Sequence, residues 1–139
     1  GTLPTGALID WCFRGQLSQQ ELRKKINGAG GLMAYLNTNS GLEVEEKIQK
    51  GDRMAAEVFE AMAYQIAREI GASAATLKGD VNAVLLTGSL AYSVRLSDWI
   101  KERVSFIAPV VLYPGENEML SLAESGMRYL TGQEALKEY

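Results

Sequence analysis

Asn82-Ala-Val-Leu-Leu-Thr-Gly-Ser-Leu-Ala-Tyr-Ser93 is the stretch whose reading decides the fold of this 139-residue chain. Ala83 to Leu86 form a short, continuous apolar run, as expected of a strand buried on both faces. The run stops at Thr87-Gly88-Ser89, small residues that let a backbone turn sharply and let another group approach closely. Ser93 can then cap a helix with Leu96, Trp99 and Ile100 on one face. A strand, a small-residue elbow and a helix together mark the usual nucleotide position of an α/β protein. Tight βα turns also use Gly and Ser for purely steric reasons, so the pattern alone leaves both readings open.

Working outward, the chain predicts mostly helix. Residues 6–14 read as a short buried helix ending at Gly15, with Cys12 as a core thiol. Ser18 and Glu21 form a capping box, with Leu17 and Leu22 as its staple, opening a helix that ends near Gly28. Leu32 to Leu36 is apolar and of undetermined type. Ser40 and Glu43 form a second capping box, for a helix whose end suits Lys47 and Lys50 and which Gly51 terminates. Asp52 caps the longest helix, expected to reach Lys78. Its apolar stripe is Met54, Val58, Met62, Ile66 and Ile70, widened by Ala55, Phe59, Ala63 and Ala67. A second strand is expected over 106–113, with Pro109 indicating an edge or bulge. A helix from about Glu116 to Leu130 follows, and Thr131 with Glu134 read as a third capping box.

Two strands, each apolar along its length, need partners and cover on both faces, and an isolated pair is marginal. The expectation is therefore that strands outside this chain complete the sheet. The opening Gly1-Thr2-Leu3-Pro4-Thr5-Gly6, without an initiator methionine, also reads like the middle of a protein.

Composition excludes several kinds of chemistry. The chain has no histidine, so imidazole bases, His-based triads and His metal sites are ruled out. Its net charge of −3 gives no electrostatic footprint for nucleic acid. The largest basic group, Arg23-Lys24-Lys25, is most simply a solvated helix face. No apolar run approaches the roughly 20 residues that a membrane helix needs. With a single cysteine, no internal disulfide can form, and cytoplasm is the expected compartment.

Several segments, in order and over essentially the whole chain, resemble the butyrate kinases and branched-chain fatty acid kinases. They are 1–6, Gly30-Gly-Leu-Met-Ala-Tyr-Leu-Asn-Thr-Asn39, Val58-Phe-Glu-Ala-Met-Ala-Tyr-Gln-Ile-Ala67, Leu86-Thr-Gly-Ser-Leu-Ala-Tyr-Ser93, Arg103-Val-Ser-Phe-Ile-Ala-Pro-Val110 and Tyr113-Pro-Gly-Glu-Asn-Glu-Met119. These kinases belong with acetate kinases, sugar kinases, actin and heat-shock chaperone ATPases. The resemblance implies an α/β, ribonuclease-H-like C-terminal domain, helix-rich with a small parallel sheet. The implied parent is a two-domain acyl kinase more than twice as long, with the first strands of this domain and the whole N-terminal domain upstream of Gly1.

The resemblance further implies reversible transfer of the ATP γ-phosphoryl group to a short-chain fatty acid, with ATP/ADP and Mg²⁺ as cofactors and a homo-oligomer as the assembly. This chain would supply the adenosine pocket: Gly88, Ser89 and Leu90 along the adenine and ribose, Tyr92 and Ser93 lining it, Asn39 and Ser40 near the ribose. Glu116 or Glu118 would orient a magnesium-bound water or the phosphate end. No catalytic residue is expected here, and the isolated chain is expected to be inactive. Relatives usually carry a second glycine at 89, an Asp at 40, a basic or polar residue at 42 and an acidic residue at 7. Ser89, Ser40, Leu42 and Ala7 depart from that pattern. Those departures leave room for an alternative, a degenerate paralogue persisting as an oligomerisation or interaction module.

Overall fold

The computed structural model describes residues 3–115 and 118–135. Five helices precede the first strand: α1 (Thr5–Phe13), α2 (Gln19–Gly28), α3 (Leu32–Leu36), α4 (Gly41–Gln49) and α5 (Arg53–Thr76). Then come β1 (Val84–Gly88), a 3₁₀ turn (Ser89–Tyr92), α6 (Val94–Val104), β2 (Val110–Pro114) and α7 (Glu118–Leu130). The expected α/β character is borne out, with a helix-rich chain around a small parallel sheet.

β1 and β2 pair in parallel, Val84 opposite Val110 through Gly88 opposite Pro114. Both strands sit later than the apolar runs suggested. Ala83 is exposed and β1 continues through Gly88. Phe106 is 84% exposed and lies in the turn after α6, so residues 106–109 are connector and not strand. Pro109 ends that connector, where its carbonyl accepts from the Val84 amide at 2.9 Å, a role that needs no N–H of its own.

Neither strand is covered on both faces. Val84 is 8% exposed, while its neighbour Leu85 is 58% exposed, and Tyr113 on the same face is 60% exposed. Side chains alternate across a strand, so one face of the pair is packed and the other is bare among the described residues. The packed face rests on a core of Leu36, Val44, Phe59, Leu96, Ile100 and Val104, with the alanines of α5.

In α5 the buried row is Ala55, Phe59, Ala63 and Ala67. The sequence had placed the centre of the stripe one residue earlier, but Met54 is exposed, and Val58, Met62, Ile66 and Ile70 are only partly buried. Three small residues in one row let α6 approach closely, and Phe59 meets Trp99 edge to face at 6.3 Å. Burial therefore follows the row that admits the neighbouring helix, and the larger residues flank it.

The start and end of the chain depart most from expectation. α1 forms, but none of its residues is buried, and Cys12 is exposed. Its cover is slight: Leu8 is half-buried and Lys25 of α2 lies 5.5 Å over the Trp11 ring, while Phe13 is 87% exposed. The Thr131–Glu134 capping box does not form either. The Thr131 hydroxyl donates back to the Met127 carbonyl at 2.7 Å, and Glu134 pairs with Arg128 at 3.1 Å. Thr131 thus finishes α7 instead of opening another helix.

Candidate functional site

Two segments about fifty residues apart in sequence meet in front of β1. The first is the turn into α4. α3 ends with its Leu36 carbonyl accepting from Lys47 Nζ at 2.7 Å, which ties that end to α4. Thr38 is buried, and its hydroxyl accepts from the Ser40 amide at 3.1 Å. Ser40 in turn caps α4, its hydroxyl accepting from the Glu43 amide at 3.3 Å. Asn39 and Ser40 are thereby fixed at the helix entrance.

The second segment is the elbow. Gly88 has φ +84° and ψ −179°, a conformation that L side chains rarely adopt, and this turns the chain out of β1. A Cβ on Gly88 would meet no atom within 4 Å, so the surface above it is open. Ser89 to Tyr92 make a single 3₁₀ turn, and Ser93 caps α6 by accepting from the Leu96 amide at 3.0 Å. Ser89 does not have a left-handed backbone, so a serine in place of a second glycine causes no strain here.

Between the segments lies a cleft of about 1060 Å³. It is lined by Asn39, Ser40, Ser89, Leu90, Tyr92 and Ser93, which are six of the seven residues the sequence proposed for nucleotide contact. The seventh, Gly88, shapes the elbow immediately before it. Leu42 also lines the cleft, whereas Ala7 lies exposed on α1 and is not part of the wall.

The sequence missed part of the site. Gly41, Glu45 and Gln49 share the cleft-facing side of α4 at a spacing of four, and Arg95 and Asp98 face them from α6. Glu45 links the two walls. Its Oε1 accepts from the Ser93 hydroxyl at 2.5 Å, and its Oε2 accepts from Arg95 Nε at 3.2 Å. Arg95 also stacks over the Trp99 ring, its guanidinium carbon 5.7 Å from the centroid. The four-residue spacing on α4 was visible in the sequence. The pairings across 48 and 50 positions had no local signal.

A second concavity, about 950 Å³, runs beside the edge of β1 between Val84, Ile107 and the outer residues Met62, Ile66 and Ile70 of α5. It is mainly apolar and contains none of the proposed site residues. Glu116 lies outside the described residues, and Glu118 begins α7. No group of three or more His, Cys, Asp or Glu side chains gathers among the described residues.

The β1–elbow–α6–β2 unit, with a long helix before it, defines a class of fold that solved structures contain. The chain superposes on acetate kinase from Porphyromonas gingivalis with a TM-score of 0.73 over 91% of its own length and 38% of that protein, at 18% identity. In sequence it is similar over all 139 residues to butyrate kinase 2 of Clostridium acetobutylicum, at 48% identity, covering 39% of that protein. The resemblance read from the sequence motifs thus extends over the whole chain. The chain spans about two fifths of the length of the curated relative it matches. No protein-family model matches it. None of its described helices is long and apolar enough to cross a membrane.

Proposed function

We propose that this chain is the nucleotide-side part of a carboxylate kinase of the butyrate type, and that the cleft between α4 and the elbow receives the adenosine of ATP or ADP. The observation that carries this reading is the meeting of Asn39-Ser40 with Ser89–Ser93, two segments joined only by the fold. A cleft of this size suits a nucleoside, and small-molecule sites typically combine apolar walls with a few placed polar groups. The open surface at Gly88 lets a ligand come close to the backbone.

The proposed reaction transfers a phosphoryl group to a short-chain carboxylate. That nucleophile is already an anion at neutral pH, so no general base is required and the absence of histidine here is no obstacle. Such catalysis is positioning and charge neutralisation, and this chain contributes the first. Cationic side chains that neutralise the phosphates would come from elsewhere in the parent protein. On this reading the chain alone binds nucleotide without turnover. The bare face of the β1–β2 pair and the apolar groove beside β1 are the places where further strands and their cover would complete the sheet.

Calorimetric titration of the chain with ADP tests the proposal. Saturable binding is expected, and Ser89→Tyr, which puts a bulky side chain at the cleft without straining the backbone, should abolish it. A folded chain that gives no binding signal at millimolar ADP would overturn the reading and favour the interaction-module alternative.

A further inference from the structure

The hydrogen bonds around Glu45 determine what kind of ligand group the α4 wall of the cleft can recognise. The Ser93 hydroxyl has one proton, and that proton is given to Glu45 Oε1 at 2.5 Å. One Ser93 lone pair is taken by the Leu96 amide at 3.0 Å, so toward a ligand Ser93 can only accept. Glu45 is an acceptor at both oxygens. One lone pair on each is used, by Ser93 and by Arg95, and the others remain free. The Glu45 side chain is only 18% exposed, held in one place by two partners from the opposite wall. The nearest cation, Arg95, directs its Nε to Glu45 and its face to Trp99.

We infer that Glu45 is a specificity-determining residue of the cleft: held by Ser93 and Arg95, it accepts hydrogen bonds from O–H or N–H donors of the bound ligand. This rests on the nucleotide reading above and assigns the ligand's orientation within it. A fixed carboxylate repels phosphate, so the phosphates point away from α4 and a donor-bearing edge of the nucleoside faces Glu45. Ribose hydroxyls and the exocyclic amine of adenine are the two donor sources in an adenine nucleotide.

Calorimetry with ADP, 2′,3′-dideoxy-ADP and inosine diphosphate on the chain and on Glu45→Gln and Glu45→Ala tests the inference, with circular dichroism confirming the fold. A hydrogen bond to a charged acceptor is worth enough that losing its donor should weaken binding by about tenfold or more. The unaltered chain should therefore bind one of the two analogues at least about tenfold more weakly than ADP. Weaker 2′,3′-dideoxy-ADP identifies the ribose as the donor, and weaker inosine diphosphate identifies the amine. In Glu45→Ala that preference should disappear, and in Glu45→Gln it should shrink, since the amide keeps a neutral acceptor. An ADP preference that survives unchanged in both variants would overturn the role of Glu45 while leaving the nucleotide reading intact. Absence of ADP binding in the unaltered chain would instead remove the nucleotide reading itself.

Discussion

A Cβ placed on Gly41 would lie 2.7 Å from Leu90 Cδ2, so the first turn of α4 rests directly on the side chain of the elbow. Nothing larger than hydrogen fits at position 41 unless Leu90 moves. This contact sets the width of the cleft, because Gly41 and Leu90 both line it. Leu90 Cδ2 is the end of a flexible side chain that can turn aside, and alanine favours a helix over glycine, so Gly41→Ala should change stability by no more than about 1 kcal/mol, read from the urea midpoint. ADP affinity should nonetheless fall, since the displaced Leu90 enters the cleft. Unchanged affinity would mean that α4 and the elbow are less tightly apposed at the cleft.

The buried row of α5 makes a direct comparison. Phe59 is fully buried and packs edge to face on Trp99. Phe59→Ala should destabilise the chain by about 3–5 kcal/mol, enough to unfold a marginal domain. Met54 is exposed, and Met54→Ala should change stability by no more than about 0.5 kcal/mol. Thermal unfolding of the two variants would reveal a stripe centred elsewhere.

Strand register is open to the same kind of test. Val84 faces the core and Leu85 faces away. Val84→Ala should cost about 1–2.5 kcal/mol, whereas Leu85→Ala should stay within about 0.5 kcal/mol despite removing the larger side chain. The reverse order would indicate a one-residue slip of β1.

The capping box of α2 predicts a local pH dependence. The Ser18 hydroxyl and amide both donate to Glu21 at 2.7 Å, which holds the Glu21 carboxyl below its ordinary value of 4.5. A group whose pKa is lower when folded contributes stability that is present above the unfolded value and lost as pH falls through the folded one. The start of α2 should therefore keep this contribution above pH 4.5 and lose it progressively as the pH falls below that value. In a carboxylate NMR titration, Ser18→Ala should move the Glu21 pKa back up toward 4.5.

Local rules read the helix starts well. Ser18, Ser40, Asp52 and Ser93 each accept the backbone amide their spacing implied. Thr131 shows the limit of such rules, because the same residue types can close one helix as readily as they open another. The order of α5, β1, α6 and β2 was legible from periodicity and apolar runs, and the residues that α5 buries were in the expected stripe, though at its margin and not its centre. Met, Val and Ile outrank Ala in apolar content, but the neighbouring helix selects the row it can approach. Six residues that line the cleft were legible through the family motifs. Glu45 and Arg95 were not, since two charged residues 50 positions apart look in sequence like solvated helix surface. Cys12 failed for another reason: an apolar flank predicts burial only if something is present to bury against.

In the proposed complex, one cleft made from two distant segments engages a single ligand. Amide chemical-shift mapping of the isotope-labelled chain during ADP titration tests this most directly. Residues 39–42 and 89–93 should shift together, with one shared saturation curve. Shifts confined to one segment, two unequal affinities, or changes centred on the apolar groove beside β1 would contradict it.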